Sequence, residues 1–285
     1  MTFTLNENTE YETPIYRYMD FSKFLSLIHQ KYLFLARASS YEDGLEGMPT
    51  QLDSFLNSGA VEILDDVVNN LWPSAERVLD PERQRKLQEI AAARRRVEER
   101  EVDTVLGPQK ARDYPSHDSI FEAVSKWVDV SCWHTDVRGA ESMAMWKIYG
   151  AGAAAVCVQS TLRDVMESMA IPSDLQVYAG MVSYFDYKND LVGNDVPINL
   201  YFQKSTYYEF EKELRIVMFP SKAIEANTPR EQFGTKVSVD PKRLIKSVMV
   251  SPAASDWFNE LVQLVLNEAG FDVPVAKSSI PFRKA

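Results

Sequence analysis

Cysteine and histidine are scarce in this chain: two of the first and three of the second among 285 residues. Cys132 and Cys157 cannot build a disulfide framework, and such usage predicts the cytoplasm as the compartment. The same scarcity argues against a structural zinc site, and no metal is expected. No apolar run approaches the ~18–20 residues that a membrane-spanning helix needs, so no membrane association is expected. The opening residues, MTFTLNENTEYETP, have neither a basic start nor an apolar segment and predict no secretory signal. Positive charge is in deficit too. Lys and Arg number 31 against 41 acidic residues, a net charge of −10. Bulk attraction to a nucleic-acid backbone is thereby excluded, although a local basic groove is not.

What is present is ordinary for a globular chain: 45% hydrophobic and 25% charged residues. The length allows one large domain or two small ones. YRYMDFSKFLSLIHQKYLFLARAS reads strand, helix, strand. Asp20 can cap the helix, because a short carboxylate can accept from the free N–H groups of a first turn. Phe21, Phe24, Leu25 and Ile28 then share one helical face. SSYEDGLEG follows as a loop.

Residues 51–127 differ in character. SFLNSGAVEILDDVVNNLW has amphipathic helical spacing, and PERQRKLQEIAAARRRVEEREVDTVL is dense in helix formers after a proline suited to a first turn. The block reads as a helical insertion between an N-terminal part, 1–50, and the remainder, 128–285, of a single core. Arg94–Arg96 could suggest a nucleic-acid patch. The flanking Glu89, Glu98, Glu99 and Glu101 pair with them at helical spacings and favour a solvated face.

Strand character returns at VDVSCWH, AAAVCVQ, LQVYAGMVSYFDY, KVSVD, SVMVSP and DVPVAKSS. Helices are predicted over ESMAMWKIYG, over STLRDVMESM with Ser160 as cap, and over SDWFNELVQLVLNEAG. The fold class is α+β, with a mixed β-sheet core and an inserted helical subdomain.

Several motifs invite chemistry. GAGAAA, residues 150–155, fits a loose dinucleotide fingerprint, but it leaves a helix and enters a strand, the reverse of what pyrophosphate binding needs. It reads as a turn. Cys132 and His134 share a strand face and could form a nucleophilic pair; a packed thiol beside an ordinary polar histidine is the simpler account. Trp146 and Tyr149 lie three apart on a helix. They are either core or a stacking wall for a flat ring.

YYEFEKELRIVMF, residues 207–219, is the most unusual stretch. As a strand it would place Glu209, Glu211, Glu213 and Arg215 on one face. Carboxylates in step repel and resist burial. Either the face meets solvent, or the carboxylates form a site at the end of a rigid core strand. If residues 207–210 are loop or helix end, only Glu211 and Glu213 remain on the strand.

Taken together, three stretches resemble the bacterial family known as domain of unknown function 2971. They are YRYMDFSKFLSLIHQKYLFLARASSYEDGLEG, SCWHTDVRGAESMAMWKIYGAGAAAVCV and KSTYYEFEKELRIVMF. The family shows an aromatic–basic–aromatic start, an Asp/Glu-rich loop, a Met-Trp-x-x-Tyr helix and Lys-x-x-x-Trp-x-x-Glu-x-Glu-x-Arg. Lys204, Tyr208, Glu211, Glu213 and Arg215 fill the last motif here, with Tyr208 replacing the usual Trp. Ala38-Ser39-Ser40 stands where Ser-Pro is more usual. The match covers residues 15–48 and 128 to about 280 but leaves the insertion out.

The layout is in turn similar to the ADP-ribosyltransferase superfamily. That resemblance implies a split sheet and an enzyme with NAD as its substrate. It implies that Glu213 stabilises the ribose oxocarbenium state and that Glu211 orients the acceptor or takes its proton. It implies a pyrophosphate clamp at Arg17 or Arg37, support from Ser39 or Ser40, and nicotinamide stacking on Tyr18, Trp146 or Tyr149. The implied setting is a bacterial toxin or phage-defence effector. Its acceptor would be protein or nucleic acid, and a neutralising antitoxin could act as partner. Two alternatives differ in geometry. A non-catalytic nucleotide-binding or protein-interaction module would pair Glu211 and Glu213 with basic residues and have no cavity nearby. A metal nuclease would converge Glu211 and Glu213 with Asp136 or Asp43.

Overall fold

The computed structural model describes residues 4–5, 9–60, 63–64, 80–136, 141–150, 152–193, 196–230 and 233–281. Its centre is an eleven-stranded mixed sheet. The strands are β1 (Thr4–Leu5), β2 (Pro14–Asp20), β3 (Tyr32–Arg37), β4 (Asp129–His134), β5 (Ala155–Thr161) and β6 (Met169–Ala170). They continue with β7 (Leu175–Met181), β8 (Glu213–Pro220), β9 (Gly234–Val239), β10 (Ser247–Val250) and β11 (Val275–Lys277). The principal order is β1-β7-β8-β4-β2-β5-β10-β11.

The sheet forks at β4. One edge of β4 pairs with β8 over residues 129–134. Its other edge serves two partners. Tyr16 of β2 pairs with His134 at one end, and Ala36 and Arg37 of β3 pair with Val130 and Asp129 at the other. β2 carries on into the arm of β5, while β3 carries on into β9 and β6. Helix α1 (Phe21–Gln30) joins the diverging strands, with Asp20 accepting from the Lys23 N–H at 2.9 Å as its sequence suggests. The split leaves a gap between β2 and β3, and that gap becomes the cleft.

β8 explains the apolar run of the unusual stretch. Leu214, Ile216 and Met218 enter one core with Phe24, Leu27, Val165, Phe258 and Val262. Val217 and Phe219 enter a second core with Ile120, Phe121, Val124 and the Leu200–Phe202 segment. A strand covered on both faces needs apolar residues at every position. Glu213 and Arg215 share the second face, so their charges must be met inside the protein.

Residues 207–210 lie outside the strand, as one of the two readings had it; the placement of Glu211 on the strand is corrected. Thr206–Glu211 form a 3-10 turn, Lys212 is left-handed at φ 43°, and β8 begins at Glu213. Glu209 is exposed while Glu211 and Glu213 are buried.

Residues 51–127 contain α2 (Gln51–Asn57), α3 (Asp80–Glu98), α4 (His117–Ser125) and a hairpin of Glu101–Val102 with Gln109–Lys110. The helix expected over 54–72 is interrupted after Asn57, with Ala60, Ile63 and Leu64 helical again; residues 61–62 and 65–72 lie outside the described residues. Arg94, Arg95 and Arg96 are on an exposed face of α3. Two short helices follow, α5 (Met143–Tyr149) and α6 (Leu162–Ser168), then α7 (Asp256–Glu268). α6 is capped by Thr161 rather than Ser160, because β5 runs two residues further than expected. Residues 150 and 152–154 lie between α5 and β5 as expected, while residue 151 lies outside the described residues.

Candidate active site

A cleft of about 630 Å³ fills the fork of the sheet, within the range usual for small-molecule sites. Its walls come from β2, β3, β4 and α5, and Glu213 stands in it at the start of β8.

Side chains reach the cleft from both faces of the sheet, as strand alternation requires. Tyr16, Tyr18 and His134 are on one side, where the rings of both tyrosines contact the imidazole. Arg17 is on the other. It donates to the Ser131 hydroxyl and lies 5.5 Å from the centre of the Trp133 ring. Burial lowers the Arg17 pKa, and no carboxylate among the described residues pairs with it. A desolvated guanidinium without a counter-charge is a ready anion-binding group.

Glu213 belongs to a buried chain of charges. Lys204 Nζ bridges Glu211 Oε2 at 2.5 Å and Glu213 Oε1 at 3.0 Å. Arg215 Nε donates to the other Glu213 oxygen at 2.5 Å, and its two terminal nitrogens grip both oxygens of Glu46. The left-handed Lys212 reverses the chain between the two glutamates and lets both reach one ammonium. The Tyr184 hydroxyl takes the Glu213 N–H at 2.9 Å.

The two carboxyls differ in acidity. Burial raises Glu211, its contact with Glu213 raises it further, and Lys204 only partly offsets them, so it is pushed up to about 7. Burial works against ionisation of Glu213 too, but Arg215, Glu211 and Lys204 together hold it well below the ordinary carboxylate range. Lys204 is itself raised despite burial, by Glu213 and Glu211. One ammonium does not neutralise two carboxylates; Glu213, which has Arg215 as well, keeps the negative charge.

Of the residues named from sequence, Arg17, Tyr18, Tyr149 and Glu213 line the cleft together. Tyr149 donates from its hydroxyl to Glu211 Oε1 at 2.9 Å, so Glu211 touches the cleft wall through it. The others lie elsewhere. Trp146 is buried against Tyr18, edge to face at 4.9 Å, and donates to Glu141. Arg37 is buried 3.8 Å from Asp129. Ser39 and Ser40 are exposed, and Ser40 donates to the Arg37 carbonyl at 2.7 Å.

Lys204 and Arg215, both part of the motif, hold the carboxylates of Glu211 and Glu213, whereas Glu46, which pairs with Arg215, is not among the motif residues that the sequence singles out. The acidic loop SSYEDGLEG was the one hint of Glu46. Burial, with Glu213 nearby, pushes the Cys132 thiol up to about 12, which disfavours the thiolate form that a nucleophile needs. Among the described residues no group of three His, Cys, Asp or Glu side chains is placed to hold a metal ion. Where Glu211 and Glu213 converge, the cation between them is the Lys204 ammonium. Nor is any described helix long and apolar enough to cross a membrane.

Among solved structures, the chain is similar to Thermus sp. 2.9 DarT in complex with NAD+, at 10% identity over 95% of this chain and 97% of that one, with a TM-score of 0.36. It is similar to the same protein in complex with ADP-ribosylated ssDNA at 11% identity over 97% of both chains, with a TM-score of 0.35. At such TM-scores the likeness assigns neither residue nor activity. No family model matches the chain, so membership in family 2971 is not supported, and no curated protein matches it.

Proposed function

We propose that this protein is an NAD-dependent ADP-ribosyltransferase whose site is the cleft in the forked sheet. The observation that carries the reading is the meeting of Glu213, Arg17 and the aromatic walls Tyr18 and Tyr149 around one cavity. An ionised Glu213 holds a ribose hydroxyl and stabilises positive charge growing at C1′. Arg17 supplies paired donors to a pyrophosphate oxygen. The ring of Tyr18 or Tyr149 covers nicotinamide. As the C1′–N bond breaks, its electron pair passes to the nicotinamide nitrogen; the acceptor bonds to C1′ and passes its proton to solvent water. Glu211 acts through Tyr149, which it fixes in place. The acceptor is protein or nucleic acid. A toxin or phage-defence role, with an antitoxin as partner, is consistent with such an activity.

One observation favours a second reading, a nucleotide-binding module without turnover: both glutamates are paired to buried cations. The cavity beside Glu213 weighs against it, since a purely structural cluster needs none.

Incubating wild type and Glu213→Gln with labelled NAD and a lysate containing protein and RNA tests the proposal. Transfer by wild type that is lost in the variant supports it, and sensitivity of the product to protease or nuclease identifies the acceptor class. Absence of both transfer and nicotinamide release, with both proteins folded, supports the binding module.

A further inference from the structure

His134 has a ring nitrogen that nothing in the cleft yet uses. The residue ends β4, and its neighbours across the sheet are Glu213 of β8 and Tyr16 of β2. Direct cross-strand partners point to the same face, with Cβ atoms ~4.5–5.5 Å apart. Glu213, His134 and Tyr16 therefore form one row along the cleft, and all three line it.

The tautomer follows from a single contact. His134 Nδ1 is 2.6 Å from the backbone carbonyl of Glu211. A carbonyl oxygen only accepts, so Nδ1 carries the hydrogen. Burial disfavours a second proton, against the opposing pull of that carbonyl and of Asp136. Nε2 is then a bare lone pair. It is buried, in a residue only 2% exposed, and no donor among the described residues reaches it. A buried acceptor that ends at a cavity wall calls for a donor from whatever fills the cavity.

We propose that His134 Nε2 is a ligand-binding atom that accepts a hydrogen bond from a hydroxyl of the nicotinamide ribose. The proposal rests on the reading of the cleft as an NAD site. The choice of hydroxyl rather than amide follows from the row. Glu213 and His134 are two acceptors side by side, one anionic and one neutral. Two adjacent O–H donors on one ring, a vicinal diol, complement that pair. The histidine thereby joins the binding site itself, beyond its tie to the Glu211 backbone.

His134→Asn is the informative variant. Its side-chain amide can keep the bond to the Glu211 carbonyl, while nothing replaces the acceptor at the ε position. Calorimetric titration of NAD into wild type and variant should show binding weakened by on the order of 10-fold. Of the two NAD analogues lacking the 2′- or the 3′-hydroxyl of the nicotinamide ribose, one should bind wild type less tightly by a similar factor but the variant no more weakly than NAD does. Equal affinity of both proteins for NAD, with Glu213→Gln still abolishing NAD cleavage, overturns the role of His134 and leaves the transferase reading intact. No binding of NAD by wild type overturns both. Should the variant fail to fold, 15N-histidine NMR of wild type decides. A pyridine-type Nε2 resonance of His134 that moves on addition of NAD supports the proposal, and one that stays in place overturns it.

Discussion

Arg215 and Glu46 form a two-point ion pair inside the protein, with Arg215 0% exposed and Nη2 3.0 Å from Glu46 Oε2. This pair ties β8 to the loop after β3 and keeps a cation against Glu213. Breaking a buried pair by removing one partner strands the other charge, typically at a cost of ~3–5 kcal/mol. Glu46→Ala is expected to lose stability of that order. It should also disturb Glu213, whose counter-ion it frees. Urea unfolding, followed by NAD turnover of the folded fraction, checks both.

The raised pKa of Glu211 sets a pH dependence. Its carboxyl sits at about 7 in the folded protein against an ordinary 4.5, so between these values the folded state holds the proton more tightly than the unfolded state does. The stabilising contribution is complete below the ordinary carboxylate range and is lost as pH rises through 7. Because Glu213 shares the same ammonium, the two carboxyls titrate as a pair. Glu211→Gln, which cannot ionise, should become more stable relative to wild type as pH goes from 5 to 8. Denaturant midpoints at both pH values read this directly; a difference that does not change with pH contradicts it.

Arg17 presents the opposite case, a cation that no carboxylate among the described residues pairs with. Replacing it leaves no buried negative charge behind. Arg17→Met is expected to melt no lower than wild type. NAD binding should weaken ~10–100-fold, the loss of one charge-assisted hydrogen bond of ~1.5–3 kcal/mol. Thermal melts with and without NAD separate the two effects: the variant should keep its midpoint and lose the upward shift that the ligand gives wild type.

Gly234 guards the other arm of the fork. Its φ is 156°, and a Cβ there would stand 2.2 Å from the Leu35 carbonyl oxygen. Leu35 belongs to β3, whose Tyr32, Leu33, Phe34 and Ala36 line the cleft. Gly234→Ala must move β9 away from β3. A loss of at least ~2 kcal/mol is expected, together with weaker protection of the β3 amides in hydrogen exchange.

Local signals in the sequence determined the elements that local chemistry controls. Asp20 capped α1 because a carboxylate beside free N–H groups needs no distant partner. The apolar run after Glu213 announced a strand buried on both faces, and the alternating residues of β2 set Tyr16 and Tyr18 against Arg17. Conversely, strand periodicity misplaced Glu211, which ends the 3-10 turn before β8. Lys212 adopts a left-handed turn, which a lysine does not advertise as a glycine would, and burial of the two glutamates around Lys204 offsets the strain. Only the tertiary structure decided which charges meet. Glu46 is far along the chain from Lys204 and Arg215, and the attraction among these charges acts strongly only once the sheet and its covering layer exclude water from between them. The fork itself was beyond local signals. It depends on β4 dividing one edge between β2 and β3, and no residue records a pairing that two distant strands make together.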